Sequence, residues 1–115
     1  MDIDWVRKQC LALPHVTEDV KWEKNLVFSV AKKMFTVVGL EPDEFWISFK
    51  CNPDDFAGLP ERPGIEPAPY LARAQWVALE TRDALSPAEL ATQLRRAYDC
   101  VFARLPKRVQ RELSE

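Results

Sequence analysis

With 115 residues, 47% of them hydrophobic and 30% charged, the chain has room for a single domain over residues 1–115 and for one core that closes without a disulfide or a metal. Sixteen Lys and Arg against eighteen Asp and Glu leave a net charge of −2, the wrong sign for a protein whose whole surface grips phosphate. The apolar runs are far too short to span a bilayer, and the acidic start Met1-Asp2-Ile3-Asp4 is unlike a signal peptide, so the expectation is a cytoplasmic protein with no membrane partner.

In chain order, Asp2 to Leu13 reads as a short helix capped by Asp2 or Asp4, with Val6, Cys10 and Leu13 on one face and Pro14 as its stop. Three runs rich in Val, Phe, Ile and Thr follow: Leu26 to Ala31, Met34 to Gly39 and Phe45 to Lys50. They are separated by turn-like breaks at Lys32-Lys33 and Glu41-Pro42-Asp43-Glu44, the pattern of an antiparallel meander. In the third run Phe45, Ile47 and Phe49 share one face and Trp46, Ser48 and Lys50 the other, which predicts an apolar side and a mixed, partly open one.

Asn52-Pro53-Asp54-Asp55 has a cap residue, proline at the first helical position and acids in the first turn, and predicts a short helix to about Leu59. Residues 58 to 69 hold Gly58, Pro60, Pro63, Gly64, Pro67 and Pro69 and read as an ordered irregular connection. Tyr70 to Leu71 and Trp76 to Glu80 read as two more strands. Ser86-Pro87-Ala88-Glu89 is a capping box with proline at the first helical position. It opens a long helix whose Leu90, Leu94, Ala97, Tyr98, Val101 and Leu105 form one stripe, broken by Pro106 before a tail from Lys107 to Leu113. The expected fold is α+β, a two-layer sandwich with an antiparallel sheet and helices on one face, in the order α-β-β-β-α-β-β-α.

Chemistry is sparse. His15 is the sole histidine and no serine or cysteine is marked as its partner, while the adjacent Asp54 and Asp55 are already explained as helix-start acids. Cys10, Cys51 and Cys100 are odd in number and too widely spaced for a paired ligand set, so reduced thiols and no metal are expected. Only Gly39, Gly58 and Gly64 are glycines, too few for a dinucleotide fingerprint or a phosphate loop, and no cofactor is expected. The charge is uneven: residues 41 to 66 hold seven acids and two bases, whereas residues 95 to 111 hold six bases and Asp99.

The readings that follow are non-enzymatic. Lys32 and Lys33 at a hairpin tip, Lys50 and Arg73 supply cations for backbone phosphates, and Trp46, beside Lys50 on the mixed sheet face, supplies a ring for stacking. Together they predict weak, salt-sensitive binding of double-stranded DNA. The alternative is a protein-interaction module that presents apolar surface to a partner.

Three segments also carry a likeness. Ile47-Ser48-Phe49-Lys50-Cys51-Asn52-Pro53, then Gly64-Ile65-Glu66-Pro67-Ala68-Pro69-Tyr70-Leu71 leading to Trp76-Val77, then Ala97-Tyr98 followed by Leu105-Pro106-Lys107, resemble the MmcQ/YjbR family of small bacterial proteins over nearly the whole chain. The resemblance implies a two-layer, secretion-chaperone-like α+β fold. It also implies a double-wing mode of DNA binding in which hairpins flank a helix, and a basic wing would then fall at Lys32-Lys33.

Overall fold

The computed structural model describes residues 1–114. Its first helix, α1 (Ile3–Leu11), starts where the Asp2 carboxylate accepts the Trp5 amide at 2.8 Å, and it buries Val6 and Cys10. A meander of four strands follows: β1 (Val16–Lys21), β2 (Asn25–Val30), β3 (Lys33–Gly39) and β4 (Ile47–Lys50). Helix α2 (Pro53–Gly58) is capped by Asn52, whose side-chain oxygen accepts the Asp55 amide at 2.7 Å, and a single 3-10 turn, Leu59–Glu61, extends it. Then come β5 (Ile65–Pro67), a second 3-10 turn Ala72–Ala74, β6 (Trp76–Leu79), the long helix α3 (Pro87–Ala103) and α4 (Lys107–Ser114).

The six strands form one antiparallel sheet in the order β1-β2-β3-β4-β6-β5. Helices α1 and α3 lie on one face. Leu90, Leu94, Ala97 and Tyr98 of α3 and Val6 and Cys10 of α1 meet Phe28, Val38, Ile47 and Phe49 of the sheet in the main core. The Tyr98 ring stands edge-on to Phe35 at 5.7 Å, and its hydroxyl donates to the Pro14 carbonyl at 2.8 Å. A smaller cluster on the opposite face joins Ala68, Trp76 and Ala78 to Met34, Val37, Phe45 and Leu71. The α+β two-layer arrangement expected from the sequence is the one observed.

Four elements differ from the sequence reading, each for a physical reason. Strand β1, Val-Thr-Glu-Asp-Val-Lys, was not expected because it is an edge strand with mostly exposed residues, and such edges are kept polar against stray pairing. Strand β5 occupies the other edge inside the stretch read as irregular, where Pro67 is tolerated because an edge strand has no second neighbour to receive its missing amide hydrogen. Tyr70 and Leu71, expected as strand, form a turn instead, with Tyr70 at φ +65°. The tail after Pro106 is helix α4: the proline stops α3, and its carbonyl then accepts the Gln110 amide in the first turn of the new helix.

Candidate functional site

Backbone register fixes which side chains share an end of the sheet. Lys33 pairs with Val30 and Thr36 with Phe49, so the β2–β3 tip at Ala31-Lys32 projects from the same end as Lys50 and the Trp76 that pairs with it. The turn bearing Arg73 immediately precedes Trp76. Helix α3 also finishes there, since its capping residue Arg104 lies close enough for its charge to act on Lys50. Lys32, Lys33, Arg73 and Arg104 are exposed at this end, and none has a carboxylate partner among the described residues. Nearby Asp55 is already engaged by Arg96 at 3.2 Å.

Two of the expected contact residues are buried. Lys50 is 5% exposed and its ammonium donates to the Ala74 carbonyl, closing the corner between β4 and β6 rather than facing a ligand. Burial, reinforced by the positive charge of Arg104, lowers its pKa. Trp46 is 9% exposed and belongs to the main core with the α3 residues. Its indole N–H donates to the Thr81 carbonyl at 2.9 Å, and the Arg82 guanidinium covers its ring at 4.5 Å. The pleat explains the error: β4 begins only at Ile47, so the irregular step before it puts Phe45 on the helix-free face and turns Trp46 to the core side. Trp46 therefore forms no stacking platform.

The opposite end of the strands has more acids than bases, with Lys21, Lys24 and Arg82 among the latter. The connection from β3 to β4 contributes Glu41, Asp43 and Glu44, and the segment after β6 contributes Glu80 and Asp83. Beside this end, on the helix-free face, is a cleft of about 650 Å³. Met34, Val37, Phe45 and Ala78 supply apolar walls, the segment from Ala68 to Leu71 borders it, and Trp22 and Tyr70 stand at its margin. Trp22 is 63% exposed and Tyr70 fully exposed, both at left-handed φ of 54° and 65°. The sequence leaves them undecided between core and surface: a lone aromatic beside turn residues is indistinguishable from a core side chain until the pleat is known.

The thiols are quiet. Burial pushes Cys10 and Cys51 up to about 12 and also raises Cys100, so all three are held in the protonated, weakly nucleophilic form at neutral pH. No helix among the described residues is long and apolar enough to cross a membrane.

Comparison with known proteins places this geometry in a group. The structure superimposes on that of the Deinococcus radiodurans protein DR2400, a DUF419 domain, with a TM-score of 0.88, 26% identity, 97% of this chain covered and 87% of the other. A Pseudomonas syringae protein shares the fold with a TM-score of 0.69 and 18% identity over 87% of this chain and 98% of its own. No curated protein matches. The segments that carry the likeness have structural roles here: Lys50 closes the β4–β6 corner, Asn52 caps α2, and Ile65 and Ala68 pack against opposite faces of the sheet. The YjbR family model matches residues 11–100, and the chain belongs to that family.

Proposed function

We propose that this protein is a non-enzymatic nucleic-acid-binding domain that contacts the phosphates of duplex DNA in the cytoplasm. One observation carries the reading: Lys32, Lys33, Arg73 and Arg104 lie, exposed and without carboxylate partners among the described residues, at one end of the sheet, where they outnumber the acids Asp54 and Asp55, the latter paired with Arg96. This local excess lets a chain of net charge −2 offer a cationic tip. Three free thiols, two of them buried, support a reducing compartment. With Trp46 in the core, the contact is electrostatic and shows no preference for unpaired bases.

Four neutralised phosphates give a slope of log affinity on log salt of about −3 to −4, at ~0.9 per contact. A fluorescence-anisotropy titration of a labelled duplex across salt concentrations measures it. Lys32→Ala with Lys33→Ala flattens the slope by about 2. An unchanged slope in the double variant, or no binding at low salt, refutes the proposal.

The second reading, a protein-interaction module, is favoured by the free edge of β1, a six-residue strand with Val20 54% exposed. Here Val20→Lys abolishes co-purification of a partner and leaves the DNA titration untouched.

A further inference from the structure

The cleft on the helix-free face reaches from Glu41 and Asp43 to Met34 and Tyr70, and of the basic-tip residues Lys32, Lys33, Arg73 and Arg104 none lines it. We propose that it is a binding site for a small organic cation, an ammonium carried on an apolar stem. Its volume of about 650 Å³ lies in the range of small-molecule sites, roughly 300–1,000 Å³, and its interior has the apolar lining with few polar groups that such sites use. Met34, Val37 and Phe45 receive the stem.

The charge of the ligand follows from the margin. Glu41 and Asp43 line the cleft against Lys24 alone, so the local balance is negative and an anion is repelled. Trp22 and Tyr70 add ring faces, whose quadrupoles attract a cation within ~6 Å. Both residues have left-handed backbone in turns, and the Tyr70 ring is fully exposed while Trp22 is 63% exposed. A cation in the cleft meets aromatic residues and carboxylates among its lining. A free small molecule is assigned over a peptide because the cleft volume of about 650 Å³ fits a small-molecule site.

The test uses phenethylamine, with 2-phenylethanol as its neutral and phenylacetate as its anionic counterpart, measured by calorimetry and mapped by amide NMR shifts on the wild-type chain. Saturable binding of the amine is expected, with shifts confined to the neighbourhood of Val37, Phe45 and Tyr70, and with both counterparts weaker by about tenfold. Glu41→Gln with Asp43→Asn lowers affinity for the amine and leaves that for the alcohol unchanged. Tyr70→Ala and Trp22→Ala each weaken the amine by about fivefold, with thermal melting reporting that the fold is intact. Lys32→Ala with Lys33→Ala has no effect on the amine, which separates this site from the phosphate contacts. Equal binding of the three probes, shifts mapping elsewhere, no saturation at millimolar amine, or capture of a lysine-containing apolar peptide without capture of free amine each overturns the assignment.

Discussion

Lys50 shows how far one residue can depart from its sequence appearance. A lysine at the end of an alternating strand reads as a solvated cation, yet here its stem is buried and its ammonium donates to Ala74. Its folded-state pKa is lowered, chiefly by desolvation, from the ordinary 10.5. The native protein therefore releases this proton before the unfolded chain does, and between the lowered value and 10.5 the unfolded state binds more protons. Stability consequently gains a rising contribution across that alkaline window, absent below it. Urea denaturation in a pH series detects this rise in the wild type, and Lys50→Met removes it. Trp46 was misplaced for a related reason: the residue types imply alternation, but the residue at which the ladder begins, and hence the face of every neighbour, is set by pairing with β3 and β6. The exposed lysines at the hairpin tip were legible because a two-base turn between apolar runs leaves little choice.

Among the elements, those with strong local chemistry were readable and those defined by their neighbours were not. The capping box of α3 is observed in full, with the Ser86 hydroxyl accepting the Glu89 amide at 3.2 Å and the Glu89 carboxylate accepting the Ser86 amide at 3.0 Å. Arg62 also pairs with Glu89, and together these contacts hold that carboxyl at about 2, below the usual 4.5. The contribution is present above 4.5 and lost as pH falls toward 2, so Glu89→Gln flattens the acid limb of the stability profile between those values. Strands β1 and β5 lack such signals, because an edge strand is recognised by the strand it joins rather than by its own composition. The β2–β3 turn offers another check. Ala31 and Lys32 both have positive φ, as a two-residue turn of the primed type requires, although neither is the residue that favours it. Replacing them with Asn-Gly stabilises the protein by about 1 kcal/mol, measured by chemical denaturation.

At the scale of the molecule, fold class was legible because a meander followed by a strongly capped amphipathic helix has few ways to bury its stripe. Leu94, 1% exposed beneath the sheet, tests that packing: Leu94→Ala costs about 2–5 kcal/mol in denaturant unfolding. The sequence shows an acidic stretch over residues 41 to 66 and a basic one over 95 to 111, but not that Lys32, Arg73 and Arg104, from distant segments, share one end of the sheet. That sorting has an effect before any contact is made. The cations Lys32, Lys33, Arg73 and Arg104 outnumber the acids at one tip, and Glu41, Asp43, Glu44, Glu80 and Asp83 outnumber Lys21, Lys24 and Arg82 at the other, so charge is unequal along the strands and gives the molecule an electric moment in that direction. An external field exerts a torque on it even though the net charge is small. If the proposed DNA contact holds, the protein turns as it diffuses toward the duplex and arrives Lys32 foremost, an alignment that is lost as salt shortens the reach of the field.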